Sequence, residues 1–311
     1  MVKTVQLDEN KDQLTTSSQL EVDPSDEDDR HRTPFQLSLR RFLKNKLAVA
    51  GVFILLFVIL VAIFAPFFTQ HDPTKTDMLK IEQAPSKEHI LGTDSSGRDN
   101  FSRLVYGSRV SLTIGIAAML FTVIIGVVLG SISGYYGGII DNLIMRAADL
   151  VLALPFLVLA LTIISIVERV TINIFVVIIA LTTWPTLTRI IRGTFLTLRE
   201  QEFIQGAQAI GASDFRIIRK HFIPNAIGPI IVNATLLMAT MIIAESGLSF
   251  IGMGIPQPTP TWGNMLSEAQ NIRILRNNPE AWIPPGLSIL ITVLAINFIG
   301  DGLRDAFDPK R

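Results

Sequence analysis

Six strongly apolar stretches, each at least 18 residues long and free of charge, bound the fold of this chain before any other feature does. Leu47 to Phe68 and Val110 to Ser133 hold 22 and 24 residues; Leu150 to Val167, Thr171 to Thr188, Ala226 to Ala244 and Ala281 to Gly300 hold 18, 18, 19 and 20. About 20 apolar residues in a helix cross the hydrocarbon core of a bilayer. Barrel strands would alternate apolar and polar positions, whereas these runs are apolar on every side. The expectation is therefore an all-α integral membrane protein with six transmembrane helices. Composition agrees, at 49% apolar residues and 17% charged. A net charge of zero gives no overall attraction to nucleic acid. With no cysteine, disulfides, thiolate metal sites and cysteine nucleophiles drop out.

Lysine and arginine near the span ends set orientation. "RRFLKNK" puts Arg40, Arg41, Lys44 and Lys46 before the first span, and Arg304, Lys310 and Arg311 follow the last. With six crossings both termini are expected to be cytoplasmic, together with the basic segment from Arg192 to Asn225. One loop disagrees: residues 69–109, expected outside, carry Lys75, Lys80, Lys87, Arg98, Arg103 and Arg109. Three segments outvote it. The first 33 residues, with nine Asp or Glu against four Lys or Arg, read as a disordered acidic cytoplasmic tail. Residues 34–69 then form the first span with its basic flank, 70–109 an extracytoplasmic loop, and 110–311 a five-helix core with an outer loop at 255–285.

"EFIQGAQAIGASDFRIIRKHFIPNA", Glu202 to Ala226, is polar and basic between two apolar runs. Phe203, Ala207 and Ile210 recur at i, i+4 and i+7, giving an apolar stripe on a helix starting near Arg199 and ended by Gly211. Ser213 is positioned to cap a second helix with the stripe Phe215, Ile218 and Phe222, stopped by Pro224. Helices this short are marginal unless something docks against them. Gly206, Ala207, Ala209, Gly211 and Ala212 leave a low surface for a partner protein. The alternative is a lid on the chain's own helices or on lipid, and spacing leaves both open.

Among charged side chains, Arg146 and Asp149 stand at i and i+3 and are expected to pair. Glu245 falls roughly 28 Å along its helix, beside the outer surface, either stabilising the helix or receiving a peptide amino group. Trp262 and Trp282 in the proline-rich 255–285 segment suit a membrane interface. Gly92, Gly97 and Gly107 with Arg98, Arg103 and Arg109 suggest a turn and a short amphipathic helix on the outer face, its arginines reaching headgroups, or Asp94 and Asp99. The histidines at 31, 71, 89 and 221 lack metal-ligand spacing, and no HExxH or GxxxxGK[ST] occurs, so neither zinc chemistry nor ATP binding is expected here.

Glu202 to Asn225 resembles the cytoplasmic signature loop of permease subunits of binding-protein-dependent ATP-binding cassette importers. Gly206 and Ala207 stand where the family has a small-residue pair, Gly211 is its glycine, and Ile223 with Pro224 closes the motif; Gln205 and Gly206 depart from the usual residues. "HILGTDSSGRDNFSRLVYGSRVSL", "SGYYGGIIDNLIMRAADLVLALP", "AESGLSFIGMGIPQPTPTWGNML" and "ITVLAINFIGDGLRDAFDP" are similar to the C-type permease of the dipeptide, oligopeptide and nickel branch. The resemblance runs from Phe42 onward. It implies a multi-pass bacterial cell-membrane permease subunit that is no enzyme and has no cofactor of its own. ATP and Mg would be bound by two ATPase subunits docking on a coupling loop at 199–225: Glu202, Phe203, Gly206, Ala207, Ala209, Ile210, Gly211, Ala212, Ser213, Phe215, His221, Ile223 and Pro224. It also implies a second, homologous permease subunit, an extracytoplasmic solute-binding protein meeting the outer segment, and a peptide substrate, with Glu245 and Trp262 as candidates for the path or outer gate. Nickel, opines and glutathione are handled by similar permeases. An ion-driven secondary transporter would need midplane carboxylates and an inverted repeat, and a membrane enzyme a catalytic constellation at depth; the sequence offers neither.

Overall fold

The computed structural model describes residues 34–307. The acidic segment 1–33 and the cations Lys310 and Arg311 lie outside the described residues. The helices are α1 (Pro34–Lys44), α2 (Lys46–Ile63), α3 (Ala65–Phe68), α4 (Asn100–Tyr136), α5 (Gly138–Ala153), α6 (Phe156–Ile166), α7 (Ile172–Arg199), α8 (Glu202–Ala209), α9 (Asp214–Phe250), α10 (Trp262–Leu266), α11 (Ile272–Asn277) and α12 (Pro279–Phe307). Among the described residues no strand forms beyond one isolated bridge, Thr93 with Asp99.

Five helices, α2, α4, α7, α9 and α12, are long and apolar enough to cross a membrane. The sixth expected span, Leu150 to Val167, is broken: α5 and α6 meet at 90°. Pro155 is the cause, because its ring excludes the helical conformation for the residue before it, and Leu154 is extended at φ −98° and ψ 137°. A second expectation fails the other way. Pro224 does not stop a helix; α9 runs through it. The π-turn Ile218–Phe222 directly precedes it, with the Ile223 N–H bonded five residues back to Ile218 O. That wider turn gives the proline ring room in the helix wall.

In lipid, helices gain nothing from hiding apolar surface from one another, so close packing decides which of them associate. The tightest pair is α4 against α7. Ala118, Thr122, Gly126, Gly130 and Gly134, spaced by four, make a buried small-residue stripe down α4. A Cβ on Gly130 would stand 2.7 Å from Thr188 O, and one on Gly134 2.6 Å from Phe195 Cβ. The backbones could not come this near with larger residues. Thr122 Oγ1 and Thr183 Oγ1 join across the seam at 3.1 Å. Helix α4 is the hub, packing against α7, α9 and α2; α9 and α12 pack together, and α2 rides on α12.

The loop before α4 departs from expectation. No short surface helix forms; α4 itself begins at Asn100, capped by Asp99, whose carboxylate accepts from the Ser102 N–H at 2.7 Å. Arg98 and Arg103 are buried rather than spread on headgroups, with Arg98 Nε 2.7 Å and Arg103 Nε 3.4 Å from Asp94 Oδ2. Arg103 also donates to the carbonyls of Pro73 and Pro258. Arg109 donates to Ala62 O and Ile63 O, supplying cationic partners to the last carbonyls of α2. Asp149 pairs with Arg189 at 2.5 Å rather than with Arg146.

Candidate functional site

At one end of the bundle the chain leaves α7 at Glu200, turns through α8 and re-enters as α9. Helix α8 begins three residues later than expected, at Glu202, since Arg199 still belongs to α7. Gly211, at φ +77°, closes α8 in a Schellman arrangement: Ala212 N–H bonds Ala207 O at 3.1 Å and Gly211 N–H bonds Gln208 O at 2.9 Å. Only a residue without Cβ takes this left-handed conformation at no steric cost. Ser213 occupies the N-cap position of α9, but its hydroxyl makes no capping bond.

The segment is anchored from within. Ile204, Ala207, Ile217, Phe222 and Ala226 pack against Tyr135 at the end of α4 and Leu187, Ile191 and Phe195 on α7. Phe222 stacks on Phe195 at 4.7 Å and meets Tyr135 edge-on at 5.5 Å. Tyr135 donates its hydroxyl to Asp214 Oδ1 at 2.8 Å. Nearby, Arg192 grips Asp141 with two bonds, 2.5 and 2.6 Å, and Ser133 donates to the same carboxylate, tying α4, α5 and α7 together where the segment leaves them.

The sequence stripes therefore split between two faces. Ala207 and Phe222 are buried and belong to the anchor, as does Ile204, which the stripe omitted. Phe203, Ile210 and Phe215 point outward with 46%, 86% and 73% of their surface exposed. Glu202, Gly206, Ala209, Gly211, Ser213 and Pro224 are exposed with them, and Ala212, His221 and Ile223 are half-buried at the margin. A side chain added at Gly206 or Gly211 would meet open space. Ile217 and Phe222 are five apart, in the register of the π-turn, which a period of 3.6 cannot reveal. Tyr135, Asp214, Asp141 and Arg192 went unassigned for another reason: each has its partner on a different helix.

At the opposite end, Glu245 is fully buried rather than facing an open vestibule. Ser249 Oγ donates to it at 2.8 Å, Ser111 Oγ at 3.1 Å and Ser246 Oγ at 3.3 Å. Ser111 in turn accepts the Trp262 N–H at 3.1 Å, so the carboxylate joins α4, α9 and α10. Thr261 and Asn264 close a reciprocal capping box that starts α10. Trp262 is 1% exposed, its Nε1–H bonded to Leu104 O; it is a packed core residue and no interface anchor. Trp262 also edges an apolar cavity of about 440 Å³ between α2, α4 and α12, which Glu245 does not line.

A third feature lies at spanning depth. Thr186 on α7 with Asn233 and Thr240 on α9 line a groove of about 170 Å³, together with Leu187, Ile190, Leu236 and Leu237.

The family model described as binding-protein-dependent transport system inner membrane component matches residues 126–311, and that for the N-terminal TM domain of oligopeptide transport permease C matches residues 33–85. The chain is 42% identical over 275 residues to the oligopeptide transport system permease protein OppC of Bacillus subtilis, covering 88% of each. It is 43% identical over 278 residues to the dipeptide transport system permease protein DppC of Alkalihalophilus pseudofirmus, covering 89% of this chain and 90% of that one. With the glutathione transport system permease protein GsiD of Pectobacterium atrosepticum the identity is 39% over 280 residues, 90% of this chain and 92% of the relative. Among solved structures, a chain of the inward-facing MetNI methionine ABC transporter superposes with a TM-score of 0.55 at 21% identity, over 67% of this chain and 98% of that one. That likeness is one of fold.

Proposed function

The chain belongs to the family of binding-protein-dependent transport system inner membrane components, and from that membership we propose that it forms one half of a translocation path for di- or oligopeptides, driven by ATPase subunits bound to its α8–α9 turn. Peptide is the cargo named for relatives that align with nearly nine-tenths of this chain. The observation that carries the coupling role is the divided character of the turn. Its inner face is clamped by Phe222, Ile204 and Tyr135, while Phe203, Ile210 and Phe215 stand exposed around two glycines. Large apolar side chains held outward on a rigid turn are a docking surface awaiting a partner. In this reading the termini and the turn face the cytoplasm, an external solute-binding protein delivers peptide to the end carrying Trp262, and a second permease supplies the other half of the path. ATP-driven movement of the docked subunits pulls on the α8–α9 turn, and the clamp passes that displacement to α4, α7 and α9.

The clamp also selects the variants. Enlarging Ala207 would damage the anchor itself, so the decisive changes are Ile210→Asp and Phe215→Asp on the outer face. Each is expected to leave membrane insertion and thermal stability within about 0.5 kcal/mol of the wild type, as exposed substitutions do. Co-purification of ATPase subunits and peptide uptake should both be lost. Full uptake by the double variant would refute the docking role.

A further inference from the structure

Between α2 and α4, three donors that are distant in sequence meet in space. One ligand atom from each of His71, His89 and Asp99 lies within 4.8 Å of the others, although spacing along the chain gives no hint of it. The two imidazole rings stand 4.7 Å apart, inclined at 36°.

Hydrogen bonds fix the tautomer of both rings. His71 Nε2 is 3.0 Å from the Glu88 carbonyl oxygen, which can only accept, so Nε2 carries the proton and Nδ1 keeps its lone pair. His89 Nδ1 is 2.9 Å from Asp99 Oδ1 and donates to it, leaving Nε2 as the acceptor. That Nε2 is buried, on a residue 5% exposed, and among the described residues no donor reaches it. A buried acceptor without a donor is costly, and here it borders a pocket of about 220 Å³ lined also by His71, by the carboxylates Glu88, Asp72 and Asp77, and by Lys75 and Lys80. Glu88 Oε1 lies 3.9 Å from it.

A cation answers this arrangement where another acceptor would not. Asp99 on His89 Nδ1 is the carboxylate–histidine pairing that orients a metal-bound imidazole, and the Ser102 N–H holds Asp99 in turn. Two imidazoles and one carboxylate suit zinc and its first-row neighbours; calcium and magnesium prefer all-oxygen sites. We propose that His71, His89 and Glu88, with Asp99 positioning His89, bind one zinc-class divalent cation that fastens the segment after α3 to the start of α4. Glu88 now pairs with Lys80 at 2.5 Å, so binding exchanges that ion pair for the metal. His71 has to close on the other donors, and it is the half-buried member of the cluster, on a turn.

The test is zinc titration by calorimetry of the full chain in its membrane complex, purified without a histidine tag, with cobalt as a spectroscopic probe of nitrogen and oxygen ligation. One zinc per chain is expected. His71→Ala should weaken binding about tenfold or more and Asp99→Asn roughly tenfold, as changes to ligands and their supports do. His89 is buried and its loss could unfold the loop, so His71→Ala decides; its melting temperature in chelator should equal that of the wild type. Absence of stoichiometric zinc uptake, or uptake undiminished in His71→Ala, overturns the site. Binding is read without transport, so the result stands apart from the fate of the peptide-import reading.

Discussion

Glu245 shows how little a residue's place in the sequence says about its surroundings. Its position along α9 is readable by counting, and counting put it near the helix end opposite the α8–α9 turn, where the structure has it. Its burial is not readable, because the three hydroxyls that receive it come from Ser111 on another helix and from Ser246 and Ser249 on its own. A buried carboxylate with that many donors is part of the packing, and removing it leaves both a void and hydroxyls without an acceptor. Glu245→Ala should therefore destabilise the bundle by about 2–4 kcal/mol. Glu245→Gln, which keeps the volume and one acceptor oxygen, should cost roughly 1 kcal/mol. Thermal unfolding of the detergent-solubilised chain separates the two; equal melting temperatures for both variants would mean that the hydroxyl nest contributes nothing. The same contrast holds for Trp262. Its type suggested an interface, yet its Nε1–H satisfies Leu104 O inside the protein.

Elements were legible wherever one physical signal dominated. Five of the six apolar runs became long helices, and Gly211 ended α8 because its φ of +77° excludes most other residues. Legibility failed where tertiary context outweighed a local rule. Pro155 broke a run that was long enough to span, while Pro224 failed to break one, and the difference lies in the π-turn beside the second. The loops at the Trp262 end were legible in part: sequence offered Asp94 as a partner for their arginines, but not the burial of Arg98 and Arg103 or the reach of Arg103 to Pro73 O and Pro258 O. Those loops hold a testable acid. Glu268, in the turn Ser267–Gln270, has its pKa raised chiefly by burial, an effect that the Ser95 hydroxyl and the nearby Arg98 and Arg103 offset only in part. A carboxyl whose folded pKa is raised contributes its stability below the ordinary carboxylate range, and that contribution is lost as pH rises through the raised value. The contact between the 82–99 loop and this turn should thus weaken as pH rises above the ordinary carboxylate range. Hydrogen-exchange protection factors of residues 92–99, corrected for the base-catalysed intrinsic rate, should fall over that rise in the wild type and stay level in Glu268→Gln; an equal fall in the variant would remove Glu268 as the cause.

At the scale of the molecule, the surface of the bundle cannot all face lipid. Polar side chains at membrane depth turn toward protein or a water-filled cavity. Thr186 and Thr240 are exposed and Asn233 is half-buried on adjoining faces of α7 and α9, whereas the outer face of α12 presents Leu287, Leu290, Ile291 and Leu294. The first face suits an aqueous path completed by a second permease; the other suits hydrocarbon. Because the chain has no cysteine, each position can be probed by a single introduced thiol. Asn233→Cys and Thr240→Cys in the assembled transporter should react with a water-soluble maleimide and be protected by transported peptide, and Leu294→Cys should stay inert until the membrane is dissolved. Both threonine and asparagine lose only one hydrogen bond to their own helix in the exchange, to Leu236 O and Pro229 O, so the fold should survive it. Labelling of Leu294→Cys ahead of the other two would invert the assignment of faces, placing the path on α12 and leaving the groove between α7 and α9 to be covered by protein alone.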